Sequence, residues 1–358
     1  MESSSVTVDD PSSSLTTVAP TCVTEAATIR REGIEGQLAD LEKASASVIF
    51  TDAESMLCAV VELVEPGSEI VVSTDIDSKT CAMLSRLLWQ RGVTVWCVDP
   101  IEVPDAVSER TGLVYLQLPG GSQLRQSDLD AVAERTARHG ALLVVDGTFA
   151  NPESSSPLDA GADVSLRTNA RLLAGGAVDA GVASVTDPVL ADRLVTTRAR
   201  LGATPDAGTI DLFTIGLPTL SLRLTRQEAT ARRLATFLSV DPAIRRVAYP
   251  GLASRRTTAS RTRGGGITLI FEPKNPLVAR RFATSVRRFK IGEPFDGARS
   301  TLTVSESGTR TFPEIDRHKP VEPVTVRLTI GLEDSDDLLR DVANALAASV
   351  DAPTRASA

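Results

Sequence analysis

Apolar positions along the chain fall into short continuous runs separated by amphipathic stretches. The runs EIVVST (69–74), VTVWCVD (93–99), GLVYLQL (112–118), ALLVVDGT (141–148), ADVSLR (162–167) and GVASV (181–185) predict strands. Ser78–Gly92 and Ser127–Gly140, between them, carry helical spacing and end in glycine. Runs apolar on both faces, alternating with helices, predict a mostly parallel sheet covered on both sides. Upstream, Ile34, Leu38 and Leu41 share one face of a helix beginning near Glu32, and a second helix fits Ala53–Val64, ended by the turn signal EPGS.

The pattern changes in the second half. Asp187–Gly202 and Asp206–Val240 read as helical, with Pro218 as a kink or break in the longer one. Beyond them, AIRRVAYP (243–250), GGITLIFEP (265–273), STLTVS (300–305) and VTVRLTIG (324–331) predict strands, and Asn275–Val286 and Ser335–Val350 predict helices. This second set reads as a smaller α+β unit with a more antiparallel sheet. The expected organisation is a disordered or loosely docked arm rich in Ser, Thr and Asp over 1–26, a large α/β domain over 27–235, a small C-terminal domain over 236–350 and a flexible tail over 351–358.

Composition narrows the function classes. With 358 residues, 42% of them hydrophobic but only 4% aromatic, the core is built mainly of Ala, Val, Leu and Ile. A net charge of −8 makes nucleic acid a poor partner, because whole-surface phosphate counterion release is lost. Four cysteines without C-x-x-C spacing and two histidines leave no His/Cys metal pattern, so no metal is expected. No apolar run is long enough for a bilayer, and the polar, acidic N-terminus is unlike a secretory signal; a cytoplasmic protein with no membrane partner is the expectation.

Several residues are candidates for chemistry. Asp146 ends a buried strand, where open α/β sheets bind ligands, though aspartates also cap turns. Arg327 interrupts an apolar strand and must meet an anion or stay at an edge, which makes a small carboxylate a candidate ligand. The glycine-rich LAGGAVDAG (173–181) reads as a turn, with a backbone anion cradle as the sharper alternative, and PGGSQ (119–123) reads as a turn. The basic run RRTTASRTR (255–263) reads as a solvated loop, with a polyanion patch as the sharper alternative, and Trp89 and Trp96 read as packing residues.

The stretches RREGIEGQLADLEKASA, GLVYLQLPG, ARHGALLVVDGTFANPESSSPLDAGADV, LFTIGLPTLSLRLTRQEATARRLATFL, VAYPGLAS and VRLTIGLED together resemble the Cys/Met-metabolism (transsulfuration) family of pyridoxal-phosphate enzymes, the group of cystathionine γ-synthase and the cystathionine lyases. The resemblance spans about residues 28 to 346. It implies the α/β fold-type-I architecture: a large domain with a mostly parallel seven-stranded sheet plus a smaller C-terminal α+β domain. It also implies a homodimer or homotetramer, or a heteromer with an active family member.

The cofactor residues depart from that family. Its Ser-Ala-Thr-Lys segment, whose lysine holds the cofactor as a Schiff base, aligns with Thr168, Asn169, Ala170 and Arg171. A guanidinium is protonated and delocalised and offers no amine lone pair. The phosphate-cradling Ser-Gly-Met aligns with Asp52, Ala53 and Glu54, the ring-stacking tyrosine with Asp77, and the ring-side asparagine with Gly121. The neighbouring-subunit Tyr-x-Arg clamp falls near Val23 and Glu25. By resemblance, Asp146 matches the partner of the pyridinium nitrogen, Thr168 keeps one hydroxyl, and Arg327 matches the binder of the substrate carboxylate.

The expectation is therefore a catalytically degenerate homologue acting as a non-catalytic structural or regulatory subunit, with no catalytic residue assigned, Arg171 replacing the lysine, and no cofactor. The alternatives are a pyridoxal-phosphate enzyme with an atypical site, which Lys79 would approach, or an amino-acid-like ligand-binding protein centred on Arg327.

Overall fold

The computed structural model describes residues 19–121, 123–153, 156–176, 178–252, 264–292, 297–305 and 323–351. Strands β1 (Ala46–Phe50), β2 (Glu69–Ser73), β3 (Thr94–Val98), β4 (Thr111–Gln117), β5 (Leu142–Asp146), β6 (Val164–Arg167) and β7 (Gly181–Val185) form a seven-stranded sheet in the order β1-β7-β6-β5-β4-β2-β3. Only the pairings of β7, with β1 and with β6, are antiparallel.

Successive side chains of a strand face opposite ways, so strands buried on both faces read as unbroken apolar runs. In β2, Ile70 and Val72 enter a core beneath the helices Ala53–Val61 and Ser78–Arg91. Val71 points into the opposite layer with Val114, Leu116, Leu143 and Val145. The helices begin on side-chain caps: Asp52, Asp77 and Asp128 accept from N–H groups of their own first turns. Two of them stop on the left-handed glycines Gly92 (φ 64°) and Gly140 (φ 68°), a conformation that favours a residue without Cβ.

A second sheet joins β8 (Ile244–Ala248), β9 (Thr268–Pro273), β10 (Lys290–Ile291), β11 (Thr301–Ser305) and β12 (Thr325–Thr329) in the order β10-β11-β12-β9-β8. All its pairings are antiparallel except β10 with β11. The helices Pro276–Ser285 and Ser335–Asp351 share one core with it, which includes Phe271, Phe282, Leu328 and Val342. The α/β class, the larger mostly parallel sheet and the smaller, more antiparallel one agree with the sequence pattern.

Pro218 breaks the long helical stretch as predicted. The chain runs as Ala207–Gly216, one 3-10 turn over Leu217–Thr219, then Leu220–Ser239. Three features differ from expectation. The first helix starts at Ala19, not near Glu32; Glu25, Ala26, Ala27, Arg30 and Arg31 are helix formers just upstream of the apolar face, and Pro20 is tolerated because it falls in the first turn. The run ASVIF, not anticipated as a strand, is β1; at five residues it is too short to show a period. Trp89 and Trp96 do not pack inside: they are 81% and 52% exposed, on the helix and the strand at the open edge of the larger sheet. Trp96 Nε1 instead donates to Glu69 at 3.0 Å.

Residues 1–18 of the expected arm, the tail 352–358 and the basic run 255–263 lie outside the described residues. Among the described residues, no helix is long and apolar enough to cross a membrane, and no group of three or more His, Cys, Asp or Glu is placed to hold a metal ion.

Candidate functional site

Asp146 ends β5 at the carboxyl edge of the larger sheet and is fully buried. Its Oδ1 accepts from Thr148 N at 2.9 Å and from the Thr148 hydroxyl. Its Oδ2 accepts from Tyr115 Oη at 3.1 Å, Gln117 Nε2 at 2.9 Å and Thr168 Oγ1 at 3.0 Å. Burial raises the Asp146 pKa; the two Thr148 bonds pull it down, the Asp77 charge pushes it up and the Thr168 bond lowers it. The Tyr115 phenol is driven well above its ordinary value by burial first and then by the Asp146 charge.

Neither Gln117 nor Tyr115 was picked out from sequence. The available signal was register. Gln117 pairs directly with Asp146 across β4 and β5, so a polar residue ending one apolar strand stands beside a polar residue ending the next. Tyr115 lies two positions back on the same face.

Gln117 reaches past Asp146 to Asp77. Its Nε2 donates to Asp77 Oδ2 at 2.9 Å, and its Oε1 accepts from Asp77 N at 2.8 Å. Asp77 also caps the helix Ser78–Arg91. Asp75, at the exit of β2, closes on the loop after β4. It accepts from Gln123 N at 2.7 Å and Arg125 N at 2.9 Å, while its own carbonyl accepts from Gly121 N at 3.0 Å. The glycines are sterically required in this loop. A Cβ at Gly120 would meet Asp75 Oδ2 at 2.1 Å, and one at Gly121 would meet Gln117 Oε1 at 1.9 Å.

Thr168 leaves β6 with its N–H on Thr148 Oγ1 at 2.8 Å. Three residues on, Arg171 opens the short helix Arg171–Ala174, and its Nε donates to Val178 O at 3.3 Å. The structure therefore brings Asp146 and Thr168 together and turns Arg171 onto backbone.

Asp52 and Glu54 border a separate open cleft of about 430 Å³ with Lys79, Met83, Asp179 and Leu201. Asp52 is the cap of its helix and Glu54 pairs with Arg86. Lys79 is exposed at the start of its own helix.

Arg327 projects from β12 with its guanidinium carbon 5.0 Å from the centre of the Phe149 ring, a cation–π distance. Its Nε is buried with no hydrogen-bond partner among the described residues. Burial lowers its pKa, and the charges of Asp77 and Asp75 oppose that shift. Arg327 thus faces the same strand-end cluster from the smaller sheet.

A sequence model described as Cys/Met metabolism PLP-dependent enzyme matches residues 23–347. The chain is 32% identical over 330 residues to L-methionine gamma-lyase of Pseudomonas putida, covering 88% of this chain and 82% of that protein. It is 29% identical over 325 residues to cystathionine beta-lyase MetC of Bacillus subtilis, covering 88% and 83%. Among solved structures, cystathionine gamma synthase from Xanthomonas oryzae in complex with cystathionine superposes with a TM-score of 0.83 at 27% identity, covering 90% of this chain and 86% of that one.

Proposed function

This chain belongs to the Cys/Met metabolism PLP-dependent enzymes, and we propose that within that family it is a catalytically degenerate member serving as a structural or regulatory subunit. One observation carries the reading: the position that the family resemblance gives to the Schiff-base lysine is Arg171, whose Nε is spent on the Val178 carbonyl. A guanidinium does not form an imine under ordinary conditions.

The remaining residues do not fit the family's cofactor. At the position of the phosphate cradle stand Asp52 and Glu54, in a cleft that also carries Asp179, and carboxylates oppose a phosphate dianion. Asp146, the partner expected for a ring nitrogen, already accepts from four residues of its own chain. At the ring-side asparagine position, Gly121 has no room for a side chain. The assembly consistent with this reading is a homodimer, a homotetramer or a heteromer with an active relative.

A second reading is favoured by the buried Nε of Arg327, which has no partner among the described residues: saturable binding of a small carboxylate without turnover. Calorimetric titration with amino acids, repeated on Arg327→Ala, separates it from the first.

The direct test is a pyridoxal phosphate titration followed by borohydride reduction and peptide mapping. The degenerate reading expects no stoichiometric reducible adduct. A single adduct on one lysine, Lys79 foremost, overturns it.

A further inference from the structure

Resting on the degenerate reading, we infer that the strand-end site around Asp146 is occupied by its own side chains. Gln117, held by Asp77, is an intramolecular ligand of Asp146, and this occupant closes the strand-end site to an aromatic nitrogen heterocycle independently of the missing lysine.

The hydrogen-bond geometry carries the inference. A carboxylate offers about four lone-pair positions. Asp146 is met by five donors: Thr148 N, the Thr148 hydroxyl, Tyr115 Oη, Gln117 Nε2 and Thr168 Oγ1. A ring N–H gains a place only by displacing one of them. The carboxylate is fully buried, so no solvent side remains open.

Gln117 is fixed at both ends of its amide. The Asp77 N–H needs an acceptor, while Asp77 Oδ2 and Asp146 Oδ2 both need donors. Rotating the amide by half a turn would set its oxygen against two carboxylates and its NH₂ against an N–H, so one orientation satisfies all three groups. Removing the amide from Asp146 also strips the half-buried Asp77 of two bonds and takes one donor from the fully buried Asp146, and polar groups left without partners away from water are costly.

The backbone leaves no space beside the amide. An added Cβ at Gly121 would stand 2.4 Å from Asp77 N as well as 1.9 Å from Gln117 Oε1. Asp75 clamps the same loop through the N–H groups of Gln123 and Arg125, and Arg125 Nη1 ties it to Asp99 at 2.7 Å.

The test uses pyridoxine, which has the ring nitrogen but neither aldehyde nor phosphate, titrated calorimetrically into the full chain. Wild-type protein is expected to show no saturable binding up to about 1 mM. Gln117→Ala is expected to bind at least about tenfold more tightly than wild type, with the gain lost in Gln117→Ala/Asp146→Asn. Gln117→Ser, which returns only a short hydroxyl donor, replaces Gln117→Ala where that variant does not fold. Wild-type binding that disappears in Asp146→Asn overturns the inference, as does a folded Gln117 variant that binds no better than wild type. A reducible pyridoxal phosphate adduct would instead sink the degenerate reading alone, so the two failures are distinguishable.

Discussion

Thr168 Oγ1 stands 3.0 Å from Asp146 Oδ2, which ties the end of β6 to the end of β5. The segment after Thr168 therefore leaves the sheet in a fixed direction, and Arg171 reaches its carbonyl partner from there. Because this anchor is local, Arg171→Lys is expected to fold. It is also expected to stay inactive, because Asp52 and Glu54 still stand where the family resemblance puts the phosphate cradle and Gln117 still donates to Asp146. The measurement is the visible absorbance of the variant with pyridoxal phosphate, together with lyase turnover on cystathionine. A stable internal-aldimine band or measurable turnover contradicts this account.

Gly121 offers a steric test. Its added Cβ would fall 1.9 Å from Gln117 Oε1, whereas one at Gly36 in the helix Ala19–Glu42 meets nothing within 4 Å. Gly121→Ala is expected to lose about 1–3 kcal/mol by overpacking. Gly36→Ala is expected to gain about 0.5–1 kcal/mol from helix propensity. Urea unfolding midpoints at constant slope report both. An unchanged midpoint for Gly121→Ala would show that the loop is looser than the Asp75 clamp implies.

The larger sheet was legible because strands buried on both faces write themselves as apolar runs, as in EIVVST and ALLVVDGT. Asp146 and Arg327 were legible as polar residues set against such runs. Gln117 was not: one amide at a strand end has no pattern of its own, and its meaning comes from its cross-strand partner. The exposure of Trp89 and Trp96 was hidden for a related reason. It follows from β3 lying at the sheet edge, and strand order is not written in any one strand.

The Glu42–Arg167 pair is a third place to test the architecture. Both residues are almost fully buried, and Arg167 Nε donates to Glu42 at 2.7 Å. Arg167 also holds Ala150 O at 3.2 Å and binds Gly147 O, so it braces the turn that follows Asp146. Arg167→Met alone is expected to cost about 3–5 kcal/mol, since it leaves Glu42 charged and buried. Glu42→Leu/Arg167→Met is expected to recover part of that loss, with the freed Gly147 and Ala150 carbonyls setting the residue. A double-mutant cycle by urea unfolding measures the coupling. Additive single losses would show that the pair contributes nothing of its own.

Asp146 makes the pH dependence of stability informative. Its pKa in the folded chain is raised above the ordinary 3.8, mainly by burial. Between those two values the folded state holds the proton more tightly than the unfolded state does. Stability from this group is then present at the acid end and is lost as pH rises through the folded pKa. Other carboxylates act the opposite way. The Asp334 pKa is lowered by the backbone N–H groups of Asp337 and Asp336, so the raw curve mixes signs. The difference between wild type and Asp146→Asn removes that background, because asparagine carries no titrating proton. Relative to the variant, wild type is expected to lose stability on going from about pH 4 towards neutrality. Relative to Tyr115→Phe, wild type is expected to lose stability above pH 10, where the buried Tyr115 phenol resists ionisation while the unfolded one does not. A wild-type-minus-variant difference that stays flat across the acid range would mean that the donors around Asp146 offset its burial completely.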